Sequence, residues 1–382
     1  MAKHFYNGIY TPFCSEEITL DSQNRYVIDT PTKLDCVRNR LTGSYILGSD
    51  INMSGINFEP IGSNEFPFKG IFDGAGYKII DLNITNPEPI GGGFSVGLFG
   101  TTQNSKITNL GLENVTILDS NAQYVAVGSL VGTPKYTEIS NCYATGVVNS
   151  SKNNVGGLIG SLWSTLNFSN NYFIGSVTGN NKVGGLVGNG WGGTGILKDI
   201  SIKYSFADAN VVGNAYVGGL IGASDTPIYE SYSTGTVSGI DYVGGLISKV
   251  SNITNSYSLS DVIRLSGDSN NIGGFVTTFE SHSNNNSNII NSYSIGQVIY
   301  QDSENPTNKG FSVSDGPIFS NNFWDTETSN QLTSALGATG KTTIEMKQQS
   351  TFIDWNFTDI WNITEGTTYP YLRNNVQTPL PE

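Results

Sequence analysis

The sequence predicts an all-β protein, a single-stranded parallel β-helix (solenoid) with short helical caps at both ends. A Val-Gly-Gly-Leu pattern recurs at intervals of roughly 30 residues, and a second strand-like run lies between its copies. Such a unit cannot bury its apolar side alone, so neighbouring units must stack, with parallel strands about 4.8 Å apart. The copies are VGGLIG at 155–160, VGGLVG at 183–188, VGGLIG at 217–222 and VGGLIS at 243–248, with looser copies at 96–100, 127–132 and 272–277.

The glycine pair predicts a bend, because glycine packs nothing inside a strand and usually marks a turn or a close approach of backbones. We expect it to turn a corner of the coil, while the flanking Val and Leu or Ile side chains point inward. The second run carries a repeated aromatic residue, which favours stacking in the core or on a sheet face. These aromatic residues are Tyr143, Tyr172, Tyr232, Tyr257 and Tyr293.

Both ends of the chain depart from the repeat. Residues 31–41 are predicted to form a helix, with Thr30 as its cap and Pro31 in its first turn. Thr342 and Glu345 have the spacing of a capping box that opens a short helix to about Ser350. An aromatic-rich tail follows and is expected to lie over the last turn. The predicted domains are an N-terminal cap at 1–42, the β-helix at 43–330 and a C-terminal cap at 331–382.

The composition of the chain disfavours some classes of function. The 382 residues carry a net charge of −13 without a Lys/Arg cluster, which disfavours nucleic acid as a partner, and no apolar run of membrane-spanning length occurs. The N-terminus has no recognisable signal peptide, so we expect a trimmed chain or another export route, with an extracellular, cell-surface or virion location. Of three cysteines, Cys142 is expected to be buried, and Cys14 and Cys36 pair only if the cap brings them together.

Several segments together resemble the GLUG-repeat family. They are the VGGL(I/V)G copies, the NCYATG and ESYSTG strands, the leading FEPIG and FKGIFDGAGYKI, and the closing FWDTETSN and TTIEMKQQSTFIDWNFTDIWNI. The resemblance covers roughly residues 25 to 372. It implies a right-handed β-helix of the kind found in bacterial and archaeal surface and adhesin-like proteins, in non-catalytic regions of IgA-specific metallopeptidases and in some phage proteins. The family offers no catalytic motif to carry over.

Enzyme chemistry is not favoured but stays open, because many β-helices are polysaccharide lyases or hydrolases. The acidic residues are spread one or two per turn without a tight cluster, and the only histidines are His4 and His282. No cofactor is predicted. Asp- and Asn-rich loops, such as 268–271 and 302–305, could supply oxygen ligands to Ca²⁺, but they lack an ordered ligand spacing.

The best candidate for a binding surface comes from register. Trp163 and Trp191 each lie eight residues after the first Val of a glycine pattern, so stacking places them on successive turns. Lys135 and Asp225 take the same position in the flanking turns, with Tyr136 and Asn189 beside the column. Two indoles edged by polar groups suit the apolar face of a sugar. Alternatively, they cover the edge of the sheet or brace the 189–198 loop.

We therefore predict a non-enzymatic surface or virion-associated adhesin that attaches to carbohydrate or a cell-surface receptor. One alternative is a purely structural component, of a virion or a cell surface, that docks on other protein chains. The other is a carbohydrate-active enzyme.

Overall fold

The computed structural model describes residues 3–6, 9–12, 14–87, 94–119, 124–164, 167–191, 201–250, 252–279, 288–313, 318–335, 337–375 and 377–382. They form two compact units, Met1–Asn180 with Val187–Ile200 and Asn181–Leu186 with Ser201–Glu382. Short parallel strands are stacked in each unit, which confirms the predicted all-β solenoid. The domain boundaries at residues 42 and 330 stay a prediction. Within the described residues, no helix is long and apolar enough to cross a membrane.

One turn of the coil contains four short strands, where the sequence predicted two short apolar runs. In the first unit, a turn runs through Phe94–Val96, Phe99–Gln103, Lys106–Thr108 and Gly111–Asp119. Equivalent strands of successive turns pair in parallel. We number the four sheets 1 to 4 in the order in which a turn passes through them. Each predicted run is bent near its middle, and both halves are strands.

The first unit holds an antiparallel pair, Lys3–Tyr6 and Ile9–Pro12, and strands of all four sheets. Sheet 1 contains Phe94–Val96, Tyr124–Val127 and Val155–Gly156, and sheet 2 contains Phe99–Gln103, Val131–Lys135, Ile159–Trp163 and Val187–Trp191. Sheet 3 contains Tyr26–Ile28, Ser44–Leu47, Ile71–Asp73, Lys106–Thr108, Glu138–Ser140 and Asn167–Ser169. Sheet 4 contains Ile51–Asn52, Lys78–Ile80, Asn83–Thr85, Gly111–Asp119, Tyr143–Ser150 and Tyr172–Thr178.

The second unit repeats this arrangement and ends in an antiparallel pair, Trp361–Asn362 and Tyr371–Leu372. Sheet 1 contains Asn181–Gly184, Ala215–Gly218, Asp241–Gly244 and Ile272–Gly273, and sheet 2 contains Ile221–Ser224, Ile247–Val250 and Val276–Phe279. Sheet 3 contains Ile202–Lys203, Ile228–Tyr229, Asn252–Thr254, Asn288–Ile290 and Ile318–Ser320. Sheet 4 contains Phe206–Val212, Tyr232–Gly239, Tyr257–Ser258, Asp261–Arg264, Tyr293–Ser294, Val298–Tyr300, Asn322–Asp325 and Ala338–Lys341.

The repeated glycine pair makes the bend between sheets 1 and 2, as predicted. In the second unit, a Cβ added to Gly185 would lie 2.1 Å from the carbonyl oxygen of Gly219, and one added to Gly219 would lie 2.2 Å from that of Gly245. A side chain there would collide with the backbone of the next turn. The flanking Val183 and Leu186 are fully buried, so the inward aliphatic columns are confirmed.

In three successive turns of the first unit, asparagine makes the corner between sheets 3 and 4. Asn109, Asn141 and Asn170 have φ angles of 54°, 55° and 56°, in the left-handed region. Asparagine tolerates this region better than most residues because its short amide forms local hydrogen bonds. Here Asn141 Nδ2 donates to Asn109 Oδ1 on the preceding turn, at 3.1 Å. The corner therefore needs no glycine, and its amides stack along the coil.

A column of buried serine hydroxyls follows this corner in the second unit. Ser256 Oγ donates to the carbonyl oxygen of Thr254 at 3.1 Å and accepts from the backbone N–H of Ser231 at 3.3 Å. One hydroxyl thus forms hydrogen bonds with a carbonyl of its own turn and with an N–H of the preceding turn. Buried backbone groups need such hydrogen-bond partners. The serines that form this column are Ser205, Ser231, Ser256 and Ser292.

The repeated tyrosines of sheet 4 stack on one another, as predicted. In the first unit, the rings of Tyr143 and Tyr172 are 4.8 Å apart between centroids and nearly parallel. In the second unit, Tyr257 stacks between Tyr232 at 4.8 Å and Tyr293 at 5.1 Å. The ladder is half-buried in the first unit and buried in the second.

The C-terminal tail explains the burial of the ladder in the second unit. Trp355 lies against Phe323 of the last turn, with ring centroids 6.0 Å apart. Trp361 lies against Tyr257, two sheet-4 turns earlier, at 6.1 Å. The tail thus extends back along the side of the coil, rather than over the last turn alone. The buried residues of this aromatic core are Tyr232, Tyr257, Tyr293, Phe323, Met346, Phe352, Trp355, Trp361, Tyr369 and Leu372.

The N-terminal segment contains the predicted helix and a disulfide. The helix spans Pro31–Asp35 and continues as a 3₁₀ turn over Cys36–Asn39, two residues short of the prediction, and the Thr30 side chain caps it. Cys14 and Cys36 are joined by a disulfide. The cap therefore does bring these two cysteines together.

The C-terminal helix spans Thr343–Met346, followed by a 3₁₀ turn over Gln349–Thr351. Its capping box is present as predicted. The backbone N–H of Glu345 donates to Thr342 Oγ1 at 3.3 Å, and the backbone N–H of Thr342 donates to Glu345 Oε2 at 2.9 Å. Two N–H groups at the start of the helix are thereby satisfied.

Candidate functional site

The tryptophan column lies at the carboxyl end of sheet 2 in the first unit. Lys135 pairs in register with Trp163, and Trp163 pairs with Trp191. The strands run without insertion from the glycine bend to this position, so equal spacing in the sequence becomes alignment in the fold. The structure thus places the three residues over one another in the predicted register. Their role in binding stays a prediction.

The two indole rings pack edge to face. Their centroids are 4.5 Å apart and their planes meet at 77°, a favourable arrangement for aromatic rings. Trp163 and Trp191 are 41% and 38% exposed, and Trp163 Nε1 donates to Ser161 Oγ at 3.2 Å. The pair therefore keeps apolar surface in solvent in a fixed orientation. It presents two surfaces that meet at an angle rather than one flat platform.

Tyr136 extends this aromatic surface around the next corner. It is 44% exposed, its φ angle is 49°, and its backbone N–H donates to the carbonyl oxygen of Trp163 at 3.1 Å. Left-handed backbone costs a bulky residue about 1–2 kcal/mol. The neighbouring Lys135 directs its Nζ to Asn64 Oδ1 at 3.2 Å, a neutral acceptor.

The remaining two predicted site residues lie in different surroundings. Asn189 is half-buried and pairs in register with Ser161, two positions before Trp191. Asp225 belongs to the second unit, where it is half-buried and follows the strand Ile221–Ser224. Its place in the site stays a prediction. Residues 192–200, which include most of the 189–198 loop, lie outside the described residues.

A groove that the sequence reasoning missed lies beside Tyr136. Its volume is about 490 Å³, and it forms where successive turns pass from sheet 2 to sheet 3. The available signal was a small residue before the sheet-3 strand of three turns, namely Gly43, Gly70 and Ser105. The lining residues are Thr42, Gly43, Ser44, Lys69, Gly70, Ile71, Asn104, Ser105, Lys106, Tyr136 and Glu138.

Glu138 is the acidic residue among those that line the groove. Glu138 in the groove accepts from Lys106, with 2.9 Å between Nζ and Oε1. Among the described residues, no group of three or more His, Cys, Asp or Glu is arranged to hold a metal ion. His282 lies outside the described residues, and only the backbone of His4 is described. The predicted absence of catalysis and of a cofactor stays a prediction.

Fold and surface together define a class, a parallel β-helix of stacked repeats with an exposed aromatic column. The family described as the GLUG motif matches residues 123–149. The chain therefore contains a GLUG motif, which confirms the resemblance at these residues.

Two relatives match part of the chain. It is 33% identical to Halomucin of Haloquadratum walsbyi over 36% of its length. It is 35% identical over 31% of its length to a protein of Evansella cellulosilytica named as a candidate Gly-rich membrane protein. The matches span 2% and 14% of these two proteins.

Two solved structures are similar to the chain. A candidate immunoglobulin A1 protease from Bacteroides ovatus aligns over 93% of this chain and 94% of its own, with 21% identity and a TM-score of 0.48. A structure named IgA1 Protease aligns over 78% of this chain and 21% of its own, with 14% identity and a TM-score of 0.42.

Proposed function

We propose that this chain is a non-enzymatic module of a surface protein and that it attaches to carbohydrate through Lys135, Trp163 and Trp191. The observation that carries the proposal is the pair of tryptophans, which the coil aligns and of which each residue is about two-fifths exposed. A pair that only braced the sheet would be expected to bury nearly all of its surface, since tryptophan is highly buried on average.

The chemistry of the column suits a sugar. The C–H face of a pyranose is apolar and packs on aromatic rings, while its hydroxyls need hydrogen-bond partners at the edge. The column supplies both, because Lys135 lies next to Trp163 in register and Asn189 lies in the same strand as Trp191. Since Trp163 Nε1 already donates to Ser161, the indole keeps its orientation without a ligand.

The setting is proposed to be the cell surface. The disulfide between Cys14 and Cys36 favours an oxidising compartment, because disulfides rarely persist in the cytosol. The name of the relative from Evansella cellulosilytica, which includes the words membrane protein, points the same way.

A glycan array tests the proposal. The wild-type protein should bind a defined subset of glycans. The double variant Trp163→Ala with Trp191→Ala should bind them at least about 30-fold more weakly, since a central aromatic anchor contributes about 2 kcal/mol or more. Each protein should be compared by circular dichroism to verify the fold.

Tyr77→Ala is the matched control. Tyr77 is 41% exposed and precedes a strand of sheet 4, so its loss removes a similar aromatic surface away from the column. Glycan binding should survive this change. Binding that is unaltered in the double variant, or no binding to any glycan by the wild type, would refute the proposal.

A further inference from the structure

The groove beside Tyr136 runs along the coil across four turns. Each turn contributes the residues that lead into its sheet-3 strand. The strands Ser44–Leu47, Ile71–Asp73, Lys106–Thr108 and Glu138–Ser140 pair in order, with Ser44, Ile71, Lys106 and Glu138 in one register row. Three strand spacings give the groove a length of about 14 Å. That length suits a linear chain lying parallel to the coil axis.

Small residues line the groove where successive turns approach each other closely. Gly43 and Gly70 carry no side chain, and Ser105 is small and buried. A Cβ on Gly70 would lie 2.1 Å from the carbonyl oxygen of Gly43. Backbone hydrogen bonds tie these positions to the next turn, as from the N–H of Lys106 to the carbonyl oxygen of Gly70 at 3.1 Å. The backbones of successive turns therefore lie close together along the groove.

The charge at this corner is opposite in sign to that of the whole chain. Lys69 and Lys106 line the groove, Lys135 directly precedes Tyr136, and Glu138 is the one acidic residue among the groove's lining residues. The chain as a whole has a net charge of −13. Two lysines against one glutamate in the lining, with Lys135 beside the groove, make a local cationic surface on an acidic protein, which favours an anionic ligand here.

The lysines are available to a ligand. Lys69 is exposed, and it makes no salt bridge within the part of the chain that the structure describes. Lys106 is 45% exposed and its partner Glu138 is 30% exposed. An exposed pair of this kind contributes little stability, so a ligand carboxylate can compete for the Lys106 ammonium group.

We propose that the groove binds a carboxylate-bearing sugar chain, with Lys69 and Lys106 contacting its carboxylates and Tyr136 packing against a sugar face. Tyr136 lines the groove and hydrogen-bonds through its backbone to Trp163. One glycan chain can thus extend from the indole pair into the groove. This inference rests on the proposed function and names the ligand class, an acidic polysaccharide.

Paired probes test the charge requirement. Oligogalacturonate carries one carboxylate per sugar, and its methyl-esterified form has the same backbone without the charge. We expect the wild type to bind the acidic probe at least about tenfold more tightly at about 50 mM NaCl, and salt should weaken only this binding, because it screens exposed charges. Equal affinity for both probes would overturn the inference.

Lysine variants place the effect in the groove. Lys69→Met with Lys106→Met should weaken the acidic probe about tenfold and leave the esterified probe unchanged. Lys152→Met removes a lysine from the stretch that leads into sheet 1 and should change neither. Unchanged binding of the acidic probe by the double variant would overturn the inference, as would equally tight binding of a poly-glutamate peptide.

The two proposals fail differently. If Trp163→Ala with Trp191→Ala loses both probes while the lysine variant keeps both, carbohydrate binding stands and the acidic class is wrong. If neither probe nor any arrayed glycan binds the wild type, the proposed function itself fails.

Discussion

Replacing a stacked glycine tests the packing of the coil. A Cβ at Gly219 would lie 2.2 Å from the carbonyl oxygen of Gly245 and 2.9 Å from Ser233 Oγ. Real side chains avoid such distances, so Gly219→Ala must push two turns apart by about 1 Å, against their strand spacing. Overpacking of this kind costs about 1–3 kcal/mol, and a rigid backbone neighbour places the cost at the upper end. Alanine also lowers the conformational entropy of the unfolded chain, which offsets about 0.4–1 kcal/mol of this cost. The free energy of unfolding should therefore fall by about 2 kcal/mol.

Urea unfolding measures this loss. Trp355 and Trp361 are buried in the aromatic core of the second unit, so tryptophan fluorescence reports its unfolding, and Gly219→Ala should lower the midpoint. Gly267→Asn is the control. Its Cβ would meet only Ile240 Cγ2, at 3.6 Å, so any cost there comes from a φ of 88° that L residues rarely adopt and not from a collision, and asparagine keeps that backbone cost smaller than most residues would. A midpoint for Gly219→Ala equal to wild type would refute the close stacking of the glycines.

Three further predictions concern stability. Ser256→Ala removes a hydroxyl that satisfies two buried backbone groups and should cost about 1–3 kcal/mol by urea unfolding; a neutral result would contradict the serine column. Reduction of the Cys14–Cys36 disulfide should cost about 3 kcal/mol, and an unchanged Tm in dithiothreitol would show that it does not stabilise the fold. Burial raises the pKa of Tyr257 and Tyr293 well above that of exposed tyrosine. The contribution of these two tyrosines to the free energy of unfolding is complete below about pH 10. It is lost as the pH rises further, because the unfolded chain releases protons that the folded chain keeps. A urea midpoint that stays flat from about pH 8 to about pH 11 would argue against this.

Regular spacing made part of the structure predictable. Trp163 and Trp191 follow their glycine patterns by the same number of residues, and parallel stacking turns that equality into a register pair. The inward aliphatic columns and the tyrosine ladder follow from the same repetition. The capping box of Thr342 and Glu345 could be predicted because its two residues are close in sequence.

Features without a repeat were not predictable. The second apolar run of a turn bends at a single left-handed residue such as Asn141, and asparagine is too common in this chain for its corners to stand out. The groove depends on Gly43, Gly70 and Ser105, which lie at unequal intervals in the sequence. The path of the tail along the second unit depends on contacts such as that between Trp361 and Tyr257, which are distant in sequence.

An engineered cross-link tests the central claim, that successive repeats lie in direct parallel register. Asn149 pairs with Thr178 in sheet 4 of the first unit, at a separation that a disulfide can span. Burial raises the pKa of the free Cys142 thiol to about 12, so it should not interfere. Asn149→Cys with Thr178→Cys should cross-link within one chain on mild oxidation. Asn149→Cys with Ile174→Cys, displaced by about 13 Å along the strand, should not. Failure of the first pair, or equal cross-linking of both, would contradict the stacked coil.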